Sequence, residues 1–230
     1  MKTKNTRGLS FLIAVIIILV FLGFIVVLNG QHYLLFSFIC LLASCIPFYW
    51  RFENYDIQAR EVVFLAVLAT IASISRVPFS IIPSVQPTSF VIITTGVVMG
   101  PEAGFIVGST SALVSNMSLG QGPWTPWQMF AWGMMGMVAG FLKDTRISEN
   151  RYIMSGFGFA WGFIFGWIMD LWYLIAYIHP LSLGSFFITI LGTVYFDLMH
   201  ALSNVFFILL FYNSWRKIIR RFKVKYGLLK

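Results

Sequence analysis

Three ionisable side chains fall inside long apolar runs of this 230-residue sequence: Asp170, Asp197 and His200. An acid at membrane depth costs roughly 2.5 to 3.5 kcal/mol on insertion scales, so such groups face a bundle interior or a wet cavity. Asp197, His200 and Asn204 stand at i, i+3 and i+7, which puts them on one face of a helix. Thr193, four residues before Asp197, extends that face to about three turns. Two roles fit this pattern. Asp197 and His200 can join in an interhelical hydrogen bond that holds a bundle together, or they can line a substrate cavity with Asp170 of the neighbouring run.

Catalytic parts are otherwise scarce. The chain has three histidines, His32, His179 and His200, and contains no His-Glu-x-x-His, no Gly-x-Ser-x-Gly and no phosphate loop. Cys40 and Cys45 lie five residues apart, off a common helical face, and give neither a disulfide framework nor a metal site. An enzyme is disfavoured, and neither a cofactor nor a metal is implied.

These polar residues stand out because charge is rare. The composition is 59% hydrophobic and 10% charged, against roughly 25% charged in a soluble domain, which excludes an ordinary water-soluble globule. The net charge of +8 does not call for a nucleic-acid partner, because Lys and Arg flank apolar spans as membrane topology requires. The apolar runs are Leu9 to Leu28, Tyr33 to Trp50, Val62 to Val77, Phe90 to Met99, Ala103 to Met117, Trp127 to Leu142, Tyr152 to Ile178 and Phe186 to Tyr212. The first follows Lys2, Lys4 and Arg7 as a secretory signal would. It is longer than the roughly 7 to 15 residues of a signal core and lacks a small-residue cleavage site, so it reads as a retained transmembrane helix.

With the N-terminus in the cytoplasm, eight alternating spans leave 15 of the 16 basic residues inside and Arg76 alone outside. The expectation is an all-α polytopic membrane protein of about eight spans in the lipid bilayer, with both termini cytoplasmic. Its units are a two-span hairpin with linker over 1–59, a six-span core over 60–215 and a basic cytoplasmic tail over 216–230. Gly100-Pro101 predicts a tight turn between two short helices. The outer connections, around Arg76 to Thr88, Ser118 to Pro126 and His179 to Gly184, are rich in Pro, Gly, Ser and Trp, as binding loops on a rigid scaffold are. Small residues recur every four positions at Gly158, Gly162 and Gly166, at Gly104, Gly108 and Ala112, and at Gly136 and Gly140, a spacing that lets helix backbones approach closely. Trp124 and Trp127 flank an outer proline turn, where they serve as interfacial anchors or as flat faces for a ring-bearing ligand.

Several features, in their order along the chain, resemble the substrate-binding S components of energy-coupling factor (ECF) transporters. They are the small-residue helix Ala66-Val-Leu-Ala69-Thr-Ile-Ala72, the Pro-rich stretch Arg76 to Thr88, and the inner turn Gly100-Pro-Glu-Ala-Gly104. To these is added Ser115-Asn-Met-Ser-Leu-Gly-Gln-Gly-Pro-Trp-Thr-Pro-Trp-Gln128 before a Gly-rich helix. The resemblance covers about Arg60 to Tyr212 and implies a six-helix core that binds a vitamin between its outer halves. It implies substrate contacts from Arg76, Gln86, Thr88, Asn116, Gln121, Trp124, Trp127 and Gln128, with Asp170, Asp197, His200 and Asn204 below them. It also implies partners, a T component and two ATPase subunits, docking on the first core helix. This sequence departs from the usual Ala-xxx-Ala there, because Ala66, Ala69 and Ala72 are three apart, while Ala66 with Thr70 and Ala69 with Ser73 supply the four-residue pairs. The N-terminal hairpin has no counterpart in that core.

The expected function is capture of a vitamin, a corrinoid such as cobalamin first, with a queuosine precursor, a folate or another vitamin as the alternative. Arg76 alone cannot balance a polyanion. From a different class, a stand-alone secondary transporter would use Asp170, Asp197 and His200 as a proton relay.

Overall fold

The computed structural model describes residues 58–178 and 182–228, together with Ile16, Ile39, Leu42, Ala43, Cys45, Ile46 and Tyr49. Among these residues the chain is all helical: α1 (Ala59–Arg76), α2 (Pro87–Met99), α3 (Pro101–Leu119), α4 (Thr125–Phe141), α5 (Arg151–Tyr177) and α6 (Leu183–Tyr226), with one 3-10 turn at Ile147–Glu149. Most of the expected hairpin, Leu9 to Leu28 and Tyr33 to Trp50, lies outside the described residues. Two helices, α5 and α6, are long and apolar enough to cross a membrane, and α2 is a shorter apolar helix.

Local chemistry sets the helix ends. The Gln58 amide donates to the Glu61 carboxylate at 3.1 Å, closing the start of α1. Pro87 and Pro101 sit in the first turns of α2 and α3, where a missing N–H costs nothing. Between these helices Gly100 takes φ 115°, a conformation that a side chain resists, so the tight turn read from Gly100-Pro101 is the observed one. Asn150 caps α5 by accepting from the amides of Tyr152 and Ile153, and Ser182 caps α6 by accepting from that of Ser185.

All thirteen residues of α2 are buried, which makes it the axis of the bundle. The glycine ridges prove to be internal seams. A Cβ on Gly136 would strike the backbone of Gly104, and one on Gly162 would strike Ala201, so α3 packs on α4 and α5 on α6 at backbone distance. α6 runs unbroken for 44 residues, about 66 Å at 1.5 Å per residue. The boundary expected between core and tail at 215/216 therefore falls inside one continuous helix, which ends where Gly227 turns left-handed.

Candidate functional site

Antiparallel packing gathers the end of α1, the start of α2, the end of α3, the start of α4, the end of α5 and the start of α6 at one pole of the bundle, here the distal pole. The polar residues singled out in the sequence collect in this half.

Arg76 stands in the last turn of α1, where a cation suits the helix dipole. Its Nη1 donates to Ser115 Oγ at 2.9 Å and to Asn116 Oδ1 at 2.7 Å. The guanidinium also lies 4.9 Å from the centre of the Trp132 ring. Asn116, 1% exposed, donates from Nδ2 to Thr125 Oγ1 at 3.0 Å and Gln128 Oε1 at 2.7 Å, and Thr125 in turn donates to Gln121 Oε1. Arg76, Asn116, Gln121 and Gln128 thus form one network across α1, α3 and α4. Thr125, which sequence reasoning did not name, is its junction.

A second network adjoins it. Trp132 Nε1 donates to Ser89 Oγ at 3.1 Å, and Ser89 Oγ lies 2.7 Å from His200 Nε2. The serine can accept from the indole while giving its own hydrogen to the imidazole. Phe165 stands edge-on to the His200 ring at 4.9 Å and packs 4.8 Å from Trp132. His200 therefore makes an interhelical hydrogen bond to α2, with Ser89 rather than an acid as its partner. Ser89 and Trp132 are the partners that sequence reasoning missed.

Asp197 packs its carboxylate against Gly166, where any side chain would overlap it. Asp170, on the same helix as Gly166, accepts at Oδ2 from Thr193 Oγ1 at 2.8 Å. Asn204 donates to the Gly158 carbonyl at 2.8 Å, and the Gln86 amide donates to Ser203 Oγ at 3.0 Å. Buried polar atoms without a hydrogen-bond partner within the described protein include Oε1 of Gln86 and Nε1 of Trp127 and of Trp172 in this half, with Oδ2 of Asp197 and Oδ1 of Asn204 deeper in the bundle. Buried polar atoms are seldom left unpaired, and where they are, a ligand-binding role is one physical explanation. Trp124 meets Trp172 edge-on at 5.8 Å, and Trp127 packs with Phe130 and Ile175 beside Trp172, so the unpaired indoles sit in an aromatic wall.

Two sets of expected residues separate. Thr88 is fully buried inside α2, with its hydroxyl donated to the Ala72 carbonyl at 2.7 Å, so it fastens α2 to α1. On α1, Ala66 and Thr70 are exposed, whereas Ala69, Ala72 and Ser73 are buried. Ser73 Oγ donates within α1 to Ala69 and toward Ser111 of α3. The three-residue spacing turns the alanines around the helix, so only Ala66 and Thr70 of the five remain accessible to a partner.

A sequence model of the family described as ECF-type riboflavin transporter, S component, matches residues 56–209. Among curated proteins, the chain is similar to UPF0397 proteins of Vibrio atlanticus (strain LGP32), 27% identical over 110 residues, and of Aliivibrio fischeri (strain MJ11), 31% identical over 106 residues. A UPF0397 protein of Aliivibrio salmonicida (strain LFI1238) is 30% identical over 110 residues. Each match covers 44% of this chain and 56% to 60% of the relative, so the chain spans less than two thirds of these relatives' length. No solved structure matches.

Proposed function

The chain belongs to the family of ECF-type riboflavin transporter S components, and from that premise we propose that it is the substrate-capturing subunit of an ATP-driven micronutrient importer. Members of this family are transport components rather than enzymes, and they work with T and ATPase modules. The observation that supports capture here is the set of unpaired buried acceptors and donors that runs from the distal pole into the middle of the bundle, with its two indoles in an aromatic wall. Three acceptors (Gln86, Asp197, Asn204) and two indole donors suit a ring system that bears several hydroxyl, imide or amine groups. Arg76, the one Lys or Arg of this half among the described residues, is already shared by Ser115, Asn116 and Trp132, which disfavours a polyanion.

The first candidate substrate is a heteroaromatic vitamin of the flavin type, in line with the family's description. The corrinoid expected from resemblance takes second place. The sequence has no phosphate loop, so nucleotide hydrolysis falls to partner ATPases through a T component that docks on the Ala66 and Thr70 face of α1. The subunit resides in the cell membrane with its basic end inward and its distal pole outward.

Mass spectrometry of small molecules retained by protein purified from rich medium tests the substrate. A flavin is the expected result, and a corrinoid in its place would overturn the flavin assignment while leaving capture intact. Uptake by the reconstituted chain alone, driven by a proton gradient, would overturn the importer reading in favour of a secondary transporter.

A further inference from the structure

At the opposite pole, the last turns of α6 meet the end of α2 and the connection between α4 and α5 around a cavity of about 550 Å³. Arg216, Arg220 and Lys223 line it from α6, and Asp144 and Glu149 from the connection. Val97, Val98 and Leu228 complete its apolar wall. Two of these cations are held by backbone carbonyls. Arg216 Nη1 donates to the Ser148 carbonyl at 2.6 Å, an oxygen also bonded by Tyr212, and Lys223 Nζ donates to the Val98 carbonyl at 3.0 Å. Lys143, Arg220 and Asp144 are close enough to Lys223 to act on it electrostatically.

Three cations, Arg216, Arg220 and Lys223, thus converge on two carboxylates, which leaves the lining net positive. Like charges crowded on a partly buried wall repel one another, and a multivalent oxyanion is the ligand that relieves all of them at once. We propose that this cavity is a binding site for a phosphate group, distinct from the distal substrate site. The chemistry is that of a phosphate oxyanion bridged by Arg220 and Lys223, with Arg216 behind them. Its source is either the headgroup of an anionic phospholipid, whose glycerol end would rest on Val97, Val98 and Leu228, or free phosphate.

The test uses the full chain in nanodiscs of phosphatidylcholine, with or without phosphatidylglycerol, and two double variants of equal charge. Arg220→Gln with Lys223→Gln removes two of the three cations that line the cavity, while Arg221→Gln with Lys225→Gln removes two exposed cations of the same turns that do not line it. Native mass spectrometry counts phosphatidylglycerol retained against phosphatidylcholine, and thermal unfolding in phosphatidylcholine discs compares inorganic phosphate with chloride at equal ionic strength. The cavity variant is expected to lose about tenfold in retained anionic lipid, or to lose the phosphate-specific thermal shift, while the exposed-cation variant keeps both. A response confined to the lipid arm identifies a headgroup site, and one confined to the phosphate arm identifies a soluble ion. Equal loss in both variants would reduce the effect to diffuse attraction by a basic helix and overturn the proposal, as would a wild-type protein that prefers neither ligand.

Discussion

Asp197 carries one carboxylate oxygen without a partner, in a position fixed by the absence of a side chain on Gly166. Burying an unpaired polar oxygen this way costs stability unless something else gains from it. Asp197→Asn keeps the shape and replaces the acid by a neutral amide. It is expected to leave the thermal midpoint unchanged or raised while substrate affinity falls at least tenfold, about 1.4 kcal/mol, as read by calorimetric titration beside thermal unfolding. Arg76→Gln acts in the opposite sense, because it deprives buried Asn116 of its donor; a destabilisation of about 1 to 3 kcal/mol is expected in thermal or denaturant unfolding. At this scale the buried acids and amides stood out in the sequence, since such a residue in an apolar run is visible without any structure. Their partners were not visible. His200 bonds to Ser89, 111 positions away, and Gln86 to Ser203, 117 positions away, and serines are too common in such runs to signal a particular contact.

Helix ends depend on a few neighbouring residues, and that is why Gly100-Pro101 could be read as a turn before the fold was known. The glycine ridges were legible as close-approach surfaces but not as to what approaches them. Gly104 faces Gly136, and Gly158, Gly162 and Gly166 face α6, so every ridge is used inside the bundle. A single methyl separates a seam from an open position. Gly136→Ala should cost about 1 to 3 kcal/mol by overpacking, whereas Gly156→Ala, with open space around it, should be neutral or gain about 0.5 to 1 kcal/mol from helix propensity. Thermal unfolding of the two variants in one detergent checks the contrast. α6 runs on past the last apolar stretch: hydropathy drops after Tyr212, but a helix ends where its backbone bonding ends, and no glycine or proline occurs between Tyr212 and Gly227.

For the whole molecule, the outward face of α1 bears on assembly. Ala66 and Thr70 are exposed there, and Thr70 bonds to its own helix at the Ala66 carbonyl, which leaves a smooth surface for another helix. Ala66→Trp with Thr70→Trp should abolish co-purification with a T component while substrate binding to the isolated subunit persists; unimpaired complex formation would move the docking face elsewhere. The sequence by itself determined the helical class, the turn at Gly100, the membrane character and the concentration of cations toward one end, because these follow from local composition and from the cost of charge in hydrocarbon. Only the tertiary structure decided which polar groups are satisfied, which are left unpaired, and which alanines face outward. Those outcomes depend on groups brought together from distant parts of the chain, as when Lys223 reaches the Val98 carbonyl across 125 positions, and no local pattern encodes such meetings.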